Sequence, residues 1–148
     1  LQGECIDAEF ASYHPWNVPD IDFFQKNLGS FPLSPQQQAL YRYQIDIDGV
    51  TAAFTALPWK MLTGSLVFKQ KSDHIMWFHH ALVPGKHYVE VDSNLHNVIE
   101  MLNWAREHDQ QAQEIAANGR EFVSQYLDPD TILEYCYLVL LQYAQLQM

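Results

Sequence analysis

The chain is short of cations, of cysteine and of long apolar runs, and each shortage closes off a class of function. Against 18 Asp and Glu there are 8 Lys and Arg among 148 residues, a formal net charge of −10. Gripping a nucleic-acid backbone requires clustered cations that displace its counterions, so this surface would repel DNA and RNA. Two cysteines, Cys5 and Cys136, stand near opposite ends with no CxxC or other metal-ligand spacing, and both are expected to be small buried hydrophobes. No apolar run approaches the ~18 residues of a membrane span, and residues 1–10 carry three acids and no base, unlike a secretory leader. Walker A, GxGxxG, GxSxG and HExxH are all missing, which removes the common signatures of nucleotide hydrolysis, dinucleotide binding, serine hydrolysis and zinc proteolysis. His79 and His80 are adjacent and could not both face one ion from a helix, so no metal site is expected.

What is present is an ordinary globular composition, 48% hydrophobic and 18% charged. This length suits one domain that could bury roughly 70% of its unfolded surface. Four strands are predicted. Alternation places the first over residues 5–10; "YRYQIDI" follows, with Tyr41, Tyr43, Ile45 and Ile47 on one face, then "SLVFK" and "KHYVEV". Residues 11–38 hold most of the prolines and read as a long connection with one helical turn near residues 21–28. Helical spacing of Phe54, Leu57, Met61 and Leu62 predicts a helix over residues 51–63, capped by Gly64, with Pro58 an awkward interior residue. A short helix is expected near residues 74–82. Three apolar stripes then predict C-terminal helices: Leu95 to Ala105, Ala112 to Tyr126, and Ile132 to Tyr143, the last starting at Asp128 and Pro129. All three stripes are read as core faces, with a buried seam around Phe122 and Leu140. Strands alternating with helices imply an α/β fold with a mostly parallel sheet of about four strands, closed by helices over residues 109–148.

The stretch "IDIDGVTAAF" is where chemistry is expected. In an open α/β sheet, ligands sit outside the carboxyl ends of strands, where unpaired N–H groups of the next connection face the crevice. Gly49 stands at such an end, and Thr51, Ala52 and Ala53 are small, so an anion such as a diphosphate could approach the backbone. Charge agrees: Lys60, Lys69, Lys71 and Lys86 fall close together with His74, His79, His80 and His87, and Asp73 is the one acid among them. Asp46, on the polar face of its strand, and Asp48, in a turn position, are not expected to act as a base.

Taken in order, "YRYQIDIDGVTAAF", "KMLTGSLVFKQ", "WFHHALVPGKHYVEV" and "NWAREHDQQAQEIAANGREFV" resemble the C-terminal part of glycosyltransferase family 90. This family includes lipopolysaccharide-modifying bacterial enzymes, fungal capsule-associated proteins and animal protein O-glucosyltransferases. The resemblance implies a GT-B enzyme with two Rossmann-like halves and no obligatory metal or cofactor. It implies transfer from a nucleotide-sugar, a UDP-sugar, to a glycan, lipopolysaccharide or protein hydroxyl. The donor diphosphate would be held by Gly49, Val50, Thr51, Ala52, Ala53, Phe54 and Thr55. Animal members carry an arginine where this chain has Thr55, and Lys60 is expected to stand in for it; many members have tryptophan where this chain has Gly85. The catalytic aspartate falls upstream of Leu1 in the family pattern, so no catalytic residue is assigned. Residues 1–148 are thus expected to be a single, incomplete donor-binding domain, inactive alone, whose partners are the donor, the acceptor and an N-terminal domain of the same protein. The alternative is a non-catalytic member or binding module that kept the fold. Few cysteines and no Asn-x-Ser/Thr site point to a cytoplasmic enzyme at the inner membrane face, with peripheral association; the ER lumen is the alternative.

Overall fold

The computed structural model describes residues 33–53 and 55–147. The chain divides into two compact units, Leu1–Gln38 and Ala39–Met148. Of the first, one short helix is described, α1 (Pro35–Gln38). Ser34 and Gln37 cap it reciprocally: the Ser34 N–H donates to Gln37 Oε1 at 2.8 Å and the Gln37 N–H to Ser34 Oγ at 3.3 Å, a capping box. The predicted first strand and the turn near residues 21–28 lie outside the described residues.

The second unit runs β1 (Tyr43–Asp46), α2 (Ala56–Leu62), β2 (Leu66–Gln70), a 3₁₀ turn (His79–Ala81), β3 (Val89–Val91), α3 (Val98–Glu107), α4 (Asp109–Tyr126) and α5 (Pro129–Leu146). The three strands form one parallel sheet in the order β1-β2-β3. Three of the four expected strands are therefore found where the alternation put them. The middle strand is buried on both faces, and strand parity sorts its residues. Leu66 and Phe68 join Val89 and Val91 on one face, under Leu102 and Ala105 of α3 and Ala112, Ile115 and Ala116 of α4. Val67 packs on the other face with Leu57 and Met61 of α2, Phe78, Leu82, Tyr88, and Phe122 and Val123 of α4. β1 is covered less well than predicted, since Ile45 and Ile47 are exposed.

Two helices depart from expectation. The helix predicted over residues 51–63 begins only at Ala56. That start resolves the difficulty of Pro58, which becomes the third helical residue, where the backbone N–H has no partner inside the helix to lose. It also leaves Thr51, Ala52 and Ala53 in a loop, not in a first helical turn. At the other end Gly64 adopts φ +81° and donates its N–H to Met61 O at 3.0 Å, as a C-terminal glycine should.

Helix α5 starts as predicted. Asp128 accepts from the N–H groups of Asp130 and Thr131, and Pro129 takes the first helical position. Its stripe, however, is no core face: none of its residues is buried, and Leu140, expected in a seam with Phe122, is 66% exposed. Apolar residues surround this helix, so helical spacing could not point to one packed side. Cys136, expected to be buried, is exposed with it, although Tyr135 stacks on Trp77 with ring centroids 4.7 Å apart. Helix α4 packs tightly by contrast: a Cβ on Gly119 would lie 2.5 Å from His87 O. No described helix is long and apolar enough to cross a membrane.

Candidate functional site

The carboxyl edge of the sheet carries the polar residues. Asp46, Lys69 and Glu90 are aligned across β1, β2 and β3 in the strand register, on the face that Val67 shares. Asp46 was read as lying on a polar face; that face is covered, and the residue is only 2% exposed. Its carboxylate accepts from Lys60 Nζ at 2.8 Å, and the same ammonium donates to Ile45 O at 2.8 Å. Lys60 therefore ties α2 to the end of β1 and neutralises a buried carboxylate.

From there the chain enters the 47–55 loop. Asp48 organises it: its N–H donates to Gln70 Oε1 at 3.1 Å, and its Oδ1 accepts from the Ala53 N–H at 3.2 Å, bridging five residues. The second oxygen, Oδ2, is buried with no hydrogen-bond partner among the described residues, and His74 Nδ1 lies 3.6 Å from it. Gly49 donates to Thr51 O at 3.1 Å. A Cβ at Gly49 would meet nothing within 4 Å, and its φ is not positive. Neither packing nor turn geometry demands glycine there. The N–H groups of Val50, Thr51 and Ala52 find no acceptor among the described residues, and Val50 is 79% exposed. Thr55 immediately precedes α2 and makes no side-chain cap; Phe54 lies outside the described residues.

Beside this loop, Lys69, Gln70, His74, His79, Tyr88 and Glu90 contribute to the walls of a cavity of about 240 Å³. His79 accepts the Met76 N–H on Nδ1 at 3.2 Å, which leaves its proton on Nε2. Burial, with the nearby Lys69 charge, holds this imidazole below its ordinary pKa, against the pull of Asp48 and Asp46. His87 accepts the Val83 N–H on Nδ1 at 2.9 Å, and burial, then the Lys86 charge, lowers it likewise. Among the described residues, no three His, Cys, Asp or Glu side chains gather in a way that could hold a metal ion. A larger cavity, about 470 Å³, lies by Tyr43, Gly64, Leu66 and Arg120. It opens at the amino ends of the strands, the wrong edge for a ligand in an open α/β sheet.

The sequence singled out Gly49 but read Thr51 to Ala53 as the first turn of a helix, and it did not find the residues that brace the loop. Gln70 and the burial of Lys69 were missed, although parity along "LVFKQ" was the available signal: if Leu66 and Phe68 face one core, Val67 and Lys69 face the other.

The model of glycosyl transferase family 90 matches residues 12–148. Human protein O-glucosyltransferase 3 is 41% identical over 107 residues, covering 72% of this chain and 21% of that protein. Zebrafish (Danio rerio) protein O-glucosyltransferase 2 is 36% identical over 108 residues, 73% of this chain and 21% of its own length. Mouse protein O-glucosyltransferase 1 is 36% identical over 146 residues, 96% of this chain and 36% of the relative. The chain thus spans about a fifth of the first two of these relatives and about a third of the last. A match over nearly the whole sequence, together with the parallel α/β sheet, places the chain in glycosyl transferase family 90.

Proposed function

We propose that this chain is the donor-binding part of a glycosyltransferase that moves a sugar from a UDP-sugar to a protein hydroxyl. The relatives' names favour a protein acceptor over lipopolysaccharide. The observation that carries the reading is the 47–55 loop: three successive backbone N–H groups without acceptors among the described residues, beside a glycine that the fold does not require, at the carboxyl end of a parallel strand. Successive N–H groups without protein acceptors are available to phosphate oxygens. Gly49, Val50, Thr51, Ala52, Ala53, Phe54 and Thr55 line the diphosphate in this reading, and Lys60 holds the base of their loop through Asp46. Inversion at the sugar carbon needs a carboxylate to take the acceptor proton while the departing diphosphate is stabilised. This chain supplies the second function, with two Rossmann-like halves of a GT-B enzyme as the frame and no metal; the base comes from outside it.

Calorimetric titration with UDP and UDP-sugars tests this. Gly49→Val should fold as the parent does, since its new side chain meets empty space, yet lose UDP affinity. Equal affinity in both would return the loop to an ordinary βα connection. Turnover of a UDP-sugar by the chain alone would refute the external base. One observation favours the rival, a family member that retains the fold without the chemistry: Asp46 already neutralises Lys60, so Lys60 is a weak substitute for the arginine replaced by Thr55. A parent chain that binds no UDP at all would establish that rival.

A further inference from the structure

The cation missing from the loop is present one strand away. Lys69 sits on the middle strand, and the whole residue is 7% exposed. A lysine this buried ordinarily ends on a counter-charge or a full set of acceptors, and Lys69 has neither among the described residues. Its single acceptor among the described residues is Gln70 O at 3.2 Å. The carboxylates on either side of it in the register are occupied elsewhere, Asp46 by Lys60 and, more loosely at 4.0 Å, Glu90 by Lys71. Bonding to the carbonyl of the following residue turns Nζ toward the carboxyl edge, where Lys69 lines the cavity of about 240 Å³ with His74 and His79. This cavity adjoins the Gly49 loop, because Gln70 also holds the Asp48 N–H and His74 approaches Asp48.

We infer that the cavity is an oxyanion subsite for a phosphoryl group, with Lys69 as its cation and the Nε2–H of His79 as a second donor. The inference rests on the donor-binding reading for its natural ligand, the diphosphate of a nucleotide-sugar, but the subsite recognises the phosphoryl oxyanion whatever its source. Glu90 borders the cavity and keeps it from being uniformly basic, so a compact anion reaching Lys69 directly is preferred over a diffuse polyanion. His79 remains neutral as a donor there, because burial and Lys69 itself lower its pKa.

The test uses the full chain, titrated with inorganic pyrophosphate, UDP and uridine at one ionic strength, with thermal melts alongside. Parent, Lys69→Met and Lys86→Met are compared; Lys86 is a lysine of the same basic stretch that does not line the cavity. Pyrophosphate and UDP should bind the parent, and Lys69→Met should weaken both at least tenfold, leave uridine unchanged, and melt no lower than the parent without ligand. Unchanged affinities in Lys69→Met, or an equal loss in Lys86→Met, would overturn the subsite and leave the donor reading standing. A fall in the ligand-free melting temperature of Lys69→Met would overturn it too, since the ammonium would then have a structural partner. Pyrophosphate binding that depends on Lys69, with no advantage for UDP, would keep the subsite and reject the donor reading. A parent that binds neither anion would reject both.

Discussion

Replacing Lys60 by Met keeps the aliphatic stem and removes the ammonium, and the consequence follows from where Asp46 lies. The carboxylate is 2% exposed and the Lys60 side chain 16%, so little water can replace the lost partner. Breaking a buried ion pair from one side costs about 3–5 kcal/mol, because the surviving charge stays desolvated; the Ile45 carbonyl loses its donor as well. Against a domain stability of about 5–15 kcal/mol, this is a large fraction. In urea, with an m value of about 2 kcal/mol/M, the midpoint should fall by roughly 2 M. The double variant Asp46→Asn/Lys60→Met removes both charges and should recover most of that loss, since replacing a whole buried pair is often nearly neutral. The exposed pair between Lys71 and Glu90, at 4.0 Å, provides the contrast: Lys71→Met should stay within about 1 kcal/mol. A Lys60→Met midpoint within about 0.5 kcal/mol of the parent, or a double variant equal to the sum of the singles, would refute the argument.

Gly119→Ala should destabilise by about 1–3 kcal/mol, since its Cβ would meet His87 O, a backbone atom, at 2.5 Å; an unchanged thermal midpoint would mean that α4 sits farther from that turn. Phe122→Ala should cost about 3–5 kcal/mol in chemical denaturation, while Leu140→Ala stays within about 0.5 kcal/mol; similar losses at both would put α5 in the core after all. His87 is held below its ordinary pKa of 6.5, so below that value the unfolded chain binds more protons than the folded one. Stability is full above about pH 6.5 and falls as pH drops toward the lowered folded value. His87→Asn keeps an acceptor for the Val83 N–H without titrating and should flatten this slope; an unchanged slope in denaturation series from about pH 7.5 to about pH 5.5 would remove His87 as its source.

Legibility in the sequence followed local rules where local rules decide the outcome. Asp128 and Pro129 start a helix and Gly64 ends one whatever surrounds them, and alternation located β1, β2 and β3. The start of α2 was misplaced because Thr51 to Ala53 are compatible with helix, and only tertiary ties decide otherwise: Asp48 takes the Ala53 N–H and Gln70 takes that of Asp48. The fate of α5 was unreadable for a different reason, since exposed apolar residues such as Leu133, Leu138 and Val139 point to three different sides of it and spacing alone names no partner. At the site, Gly49 and its neighbours could be picked out by composition. The burial of Asp46, its capture of Lys60 and the isolation of Lys69 depend on which strand lies beside which, and only the β1-β2-β3 register supplies that.

Helix α4 gives half of its length to each face of the sheet: Ala112, Ile115 and Ala116 pack with Phe68, whereas Phe122 and Val123 pack with Val67. Eighteen residues, roughly 27 Å of helix, therefore bolt two cores together. Neither core can melt alone, because detaching α4 exposes both sides of β2 at once. Amide protons of Val67 and Phe68 should therefore exchange with deuterium at one common opening free energy, that of global unfolding, although their side chains sit in separate clusters. Amides of α5, with no buried residue to restrain them, should exchange through openings that leave the sheet intact.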